Sequence, residues 1–141
     1  VKTPKSIRCL RFGLLAVLTL SGGALSGCAA DGTAAAEAAE AFHRDVASSD
    51  MTAACSLLQS KTREDTARSS DAGTCESQLE KDKIPDPGRL LGTEQFGRDA
   101  FVKFENDTVF LAASDAGWRI TGVGCAPNGE EAPYTCEVGG K

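Results

Sequence analysis

Two hydrophobic periods divide the chain. Between Thr33 and Lys83 apolar residues recur at helical spacing, and after Gly88 they alternate with polar ones. Thr33 is placed to cap a helix running to about Ser48, with Ala35, Ala38, Ala39, Phe42 and Val46 forming a stripe at i, i+3, i+4, i+7 and i+11. Asp50 is expected to cap a second, short helix that presents Met51, Ala54, Cys55 and Leu58 on one face. The run Lys61 to Arg68 is helix-compatible but polar all round, which predicts a surface turn of helix or a loop. Thr74 is the expected cap of a third helix through about Lys83, with Cys75 and Leu79 inward and Pro85 and Pro87 ending it.

The period-two half begins at Leu90 and runs to Phe96. A turn at Gly97-Arg98-Asp99 leads into Ala100 to Glu105, and Asn106-Asp107 reads as a tight hairpin. Thr108 to Ala113 returns, Ser114 to Gly117 turns again, and Trp118 to Val123 follows. A last short strand is expected at Tyr134 to Val138. Helices first and an antiparallel meander afterwards define an α+β class, with N-terminal helices packed on a curved antiparallel sheet. No internal repeat is visible.

Residues 1–27 follow neither period. A basic stretch from Lys2 to Arg11 precedes the apolar run Phe12 to Leu20, and small residues lead to Leu25-Ser26-Gly27-Cys28. A bilayer span needs roughly 20 apolar residues, so this run has the proportions of a secretory signal core. Leu25-Ser26-Gly27-Cys28 resembles a bacterial lipobox. The resemblance implies cleavage between Gly27 and Cys28 and transfer of a diacylglycerol group to the Cys28 sulfur. Two acyl chains at roughly 0.8 kcal/mol per buried methylene give durable anchoring. The expected division is therefore a signal peptide at 1–27, a lipidated cysteine and short tether at 28–33, and an extracytoplasmic domain at 34–141.

The sequence holds six cysteines. With Cys9 in the leader and Cys28 acylated, Cys55, Cys75, Cys125 and Cys136 remain, an even set for an oxidising compartment. Of the three possible pairings, Cys55–Cys75 and Cys125–Cys136 are favoured, because each brackets turn formers: Ser69 to Gly73 in the first, Pro127-Asn128-Gly129 in the second. A zinc site would bring its ligands in close pairs, and these spacings do not, so no metal is expected.

Leu, Ile, Val and Phe together supply 18 of the 114 residues from Cys28 onward, a thin core for which such bridges matter. The helix, the short helix with an internal cysteine, the Pro-Gly break and the strands ending in Gly117-Trp118-Arg119-Ile120-Thr121 and Gly124-Cys125 resemble small lipoproteins of high-GC Gram-positive bacteria. Many of these are similar to NTF2-like (cystatin-like) domains. The resemblance implies a compact cone whose curved sheet wraps the N-terminal helices, and implies no particular reaction.

Charge narrows the partners. The first 27 residues carry four cations and no acid, which leaves a net charge of −9 on the remainder. A chain of that sign is not expected to bind nucleic acid. The only histidine, His43, falls off the apolar stripe and is expected to be solvated, with no catalytic role. Asp99, Glu105 and Asp107 are expected on a solvated outer face, Phe101, Phe110, Trp118 and Ile120 in the core, and the only Tyr, Tyr134, beside the terminal loop. Neither phosphate-loop spacing occurs, and no cofactor is expected.

These readings point to a protein lipid-anchored on the extracytoplasmic face of the cell membrane through acylated Cys28. Its expected role is a non-enzymatic binding or accessory module with a membrane or envelope protein as partner. The alternative is a small-ligand-binding or enzymatic domain using the concave face of the sheet.

Overall fold

A computed structural model describes residues 32–129 and 133–140. The leader, the cleavage position Gly27–Cys28, the acylation site Cys28 and the tether up to residue 31 lie outside the described residues. Four helices come first: α1 (Thr33–Ala47), α2 (Met51–Leu57), α3 (Ser60–Ser69) and α4 (Cys75–Leu79). Five strands follow: β1 (Leu90–Phe96), β2 (Asp99–Phe104), β3 (Thr108–Ser114), β4 (Gly117–Pro127) and β5 (Tyr134–Gly139). The strands form one open antiparallel sheet in the order β1-β2-β3-β4-β5, so the α+β class and the meander are as expected. No described helix is long and apolar enough to cross a membrane.

Local chemistry sets most helix starts. The Asp50 carboxylate accepts from Ala53 N at 3.0 Å, and the Thr74 hydroxyl accepts from Ser77 N at 3.3 Å, both as expected of N-caps. Thr33 does not cap α1. It is the first helical residue, and Gly32 stands at the cap without a side-chain bond. The polar run from Lys61 lies in a full helix whose buried face is made of Thr62 and Thr66, and Thr66 Oγ1 is satisfied there by donating to Thr62 O at 2.8 Å. α4 stops at Leu79, short of Lys83, where Lys81 N turns back to Gln78 O at 2.9 Å and tightens the last turn.

The core lies between the helices and one face of the sheet. Phe42, Ala54, Leu58 and Leu79 from the helical half meet Val102, Val109, Leu111, Ile120 and Val123, all almost wholly buried. The burial stripe of α1 runs through Ala35, Ala36, Ala39, Phe42 and His43, with Val46 only partly buried. The helix is thus rotated relative to the expected Ala38–Val46 side.

β4 is longer than the period-two reading predicts. A bulge at Gly124, whose φ is +67°, carries the strand past Val123 to Pro127. β5 pairs only with the C-terminal part of β4, from Gly122 onward. Beside Ile120, Leu58 forms a parallel bridge instead, and Gln59 N donates to Ile120 O at 2.8 Å, which stitches the α2–α3 link to the sheet.

Both favoured disulfides are present, Cys55–Cys75 joining α2 to α4 and Cys125–Cys136 joining β4 to β5. They close sequence separations of 20 and 11 residues. Loop-closure entropy assigns each about 3 kcal/mol. Replacing either pair by alanine should therefore lower unfolding free energy by roughly that amount in urea titration, the Cys55/Cys75 pair costing slightly more.

Candidate functional site

His43 is buried, 6% exposed, and so is Asp107, 3% exposed. Both overturn the expectation of solvated side chains. A part-turn of α1 and a one-residue shift of the hairpin cause this. The rotation of α1 turns His43 inward. The hairpin tip is Glu105-Asn106, since Phe104 N donates to Asp107 O at 2.8 Å, so Asp107 lies at the base of the turn beneath β3.

The Asp107 carboxylate ties together three elements. Its Oδ1 accepts from Cys125 N of β4 at 2.8 Å, and its Oδ2 stands 3.0 Å from His43 Nε2 of α1. The second contact is a close approach of two buried polar atoms that is not aligned as a hydrogen bond. Phe42 and Phe104 present their edges to the imidazole, with ring centroids at 5.8 and 5.3 Å. Desolvated acid–imidazole pairs of this kind are costly to break, because one partner is left buried without the other.

His43 also forms part of the wall of an open cleft of about 390 Å³ between α1 and the segment before β1, with Glu40, Arg44, Asp86 and Leu90 around it. No Ser, Thr or Cys side chain is among the described residues that line that cleft.

A second, smaller cleft of about 190 Å³ opens between α3, the end of α4 and β5, with Thr62, Gln78, Asp82 and Glu137 among its walls. Burial pushes the Asp82 carboxyl up, the Gln78 amide donating to Oδ1 at 2.8 Å opposes this, and the Glu137 charge adds to the rise. At the exposed surface Lys61, and after it Arg68, hold Asp65 below the usual carboxylate range. The Arg89 guanidinium and backbone N–H do the same for Glu105. No group of three or more His, Cys, Asp or Glu side chains with metal-ligand placement occurs among the described residues.

The outer face of the sheet carries Phe101 and Phe110, two of the residues expected in the core. Phe96, Phe101, Phe110 and Tyr134 touch in succession, with ring centroids 6.0, 6.3 and 5.1 Å apart. Phe101 and Phe110 are half-buried, while Phe96 and Tyr134 are exposed at 61% and 37%. Of the four residues expected inside, Ile120 is fully buried and Trp118 packs against the core from its margin. The signal was present in the alternation itself: Phe101 and Phe110 occupy the opposite phase from Val102, Val109 and Leu111. Asp99 and Glu105 are exposed as expected.

Two outcomes follow. Asp107→Ala should cost about 3–5 kcal/mol by leaving His43 and the Cys125 N–H without a partner, whereas Asp107→Asn, which keeps an acceptor for Cys125, should cost less in the same urea titration. Asp82 binds its proton more tightly folded than unfolded. It therefore favours folding at acid pH and loses that contribution as pH rises through the raised value. Asp82→Asn should raise the urea midpoint at neutral pH and leave it unchanged near about pH 3, below the ordinary carboxylate range.

Comparison with protein-family models, with curated proteins and with solved structures gave no match for this chain.

Proposed function

We propose that the chain is an extracytoplasmic lipoprotein, anchored through acylated Cys28. In this reading it acts as a non-enzymatic binding or accessory module and contacts a membrane or envelope protein through the outer face of its sheet. The carrying observation is the aromatic row Phe96–Phe101–Phe110–Tyr134, a contiguous apolar surface on a face that no described helix covers. Aromatic side chains supply large contact area at low entropic cost, which suits a recognition surface. The basic-then-apolar leader ending in Leu25-Ser26-Gly27-Cys28 supports the anchor. Helices on one side of an antiparallel meander are compatible with a compact NTF2-like cone, and the fold supports that reading at this coarse level.

The buried His43–Asp107 pair beside the larger cleft favours a second reading, a small-ligand-binding or enzymatic domain. It stands behind the first because no Ser, Thr or Cys side chain is among the described residues lining that cleft.

The test uses the full chain in a bacterial host that processes lipoproteins. The unsubstituted protein should enter the detergent phase on Triton X-114 partition, and Cys28→Ser should remain aqueous. A photo-crosslinking residue at position 101 should give an adduct with one membrane or envelope protein, which Phe110→Ala removes and Glu80→Ala leaves intact. An adduct insensitive to Phe110→Ala would exclude the aromatic row as the binding surface.

A further inference from the structure

The exposed apolar side chains gather at one edge of the sheet. Of the four large ones exposed among the described residues, Leu90 at 42%, Leu91 at 56% and Phe96 at 61% all sit on β1. β1 is an edge strand, so its outer row of backbone N–H and C=O groups has no strand partner among the described residues. Natural edges are usually blunted by lysine, proline or a covering element, and an apolar edge calls for something to cover it.

The place where the chain enters the domain indicates what does. Gly32 packs so closely on Thr93, the middle residue of β1, that a Cβ at position 32 would collide with the Thr93 methyl. Cys28 is four residues upstream, a span of at most about 14 Å when extended. β1 runs about 10 Å to either side of Thr93. An anchor at Cys28 therefore brings a bilayer to the strand that carries the exposed leucines and Phe96.

Charge points the same way. Arg89 and Arg98 bracket the strand, and Glu94 is its one charged residue. Arg89 is paired with Glu105, and Arg98 donates to Ala113 O at 2.8 Å, yet both remain at the surface. From Asp86 to Glu105 the acids Asp86, Glu94, Asp99 and Glu105 outnumber Arg89, Arg98 and Lys103 by one, whereas residues 28–141 together carry a net charge of −9.

We propose that the β1 edge is a membrane-contact surface: with Cys28 anchored, Leu90, Leu91 and Phe96 enter the interfacial zone of the bilayer, and Arg89 and Arg98 lie among the lipid phosphates. Arginines flanking an apolar insertion keep their heads at phosphate level while their stems and neighbours are buried. The inference rests on the lipid-anchor reading, and it adds an orientation: α3, which packs on β4 and β5 at the opposite edge, stands away from the bilayer and the far end of the aromatic row, at Tyr134, stays free.

The full chain is purified from membranes of an expressing bacterium with its only tryptophan replaced, Trp118→Phe. It carries either Leu91→Trp or, on the exposed side of α3, Arg63→Trp. Each protein is reconstituted into phosphatidylethanolamine/phosphatidylglycerol vesicles with lipid brominated on the upper acyl chain. Insertion to interfacial depth should quench Leu91→Trp about twofold or more and leave Arg63→Trp nearly unchanged. Amide exchange across residues 90–96 of the unsubstituted protein should slow on vesicles relative to non-ionic detergent, which reads the same contact without a substitution. Protein that floats with the vesicles but shows neither quenching nor slowed exchange would leave the anchor standing and overturn the docking. Failure to float would overturn both. Slowed exchange without quenching, together with cross-links between copies, would assign the edge to a second copy and overturn the membrane contact.

Discussion

The structure depends on one carboxylate placed where water does not reach. Asp107 lies at the base of a hairpin, yet its two oxygens serve β4 through Cys125 N and α1 through His43. A thin aliphatic core does little to define how a helix sits on a sheet, since alanine faces slide at small cost. A buried polar contact defines it more sharply, because any displacement leaves a buried polar group without its partner. The hairpin, the long strand and the first helix are thereby held in one arrangement.

Much of the architecture is legible in the residue pattern. Asp50 and Thr74 announce helix starts through hydrogen bonds that involve only neighbours, and the strands from Leu90 to Val138 follow their alternation. The cysteine pairing is legible too, because each bridge spans its own turn-rich stretch. These features are local, and local chemistry is written in adjacent letters.

The polar site is less legible for a physical reason. Six of the nine residues from Ala34 to Phe42 are alanine, so the helix offers no strong apolar side to fix its rotation. Choosing Ala38 and Val46 rather than Ala36 and His43 moves the only histidine from core to solvent. The hairpin carries a similar ambiguity, since Glu105-Asn106 and Asn106-Asp107 are both acceptable tips and only one buries the aspartate. Phe101 and Phe110 are large enough to suggest the core, but their positions in the alternation put them outside. Non-local events, such as Leu58 bridging Ile120, leave no mark in the sequence near either residue.

The two covalent cross-links have a mechanical consequence. One lies wholly within the helical half and the other joins adjacent strands, so neither spans the seam between the layers. A pull on the N-terminus is carried along α1 and must be resisted by packing, by the Asp107 contact and by the single bridge at Ile120. Under tension the two halves would part along that seam, each keeping its own bridge intact, and would meet again with their internal connections already made.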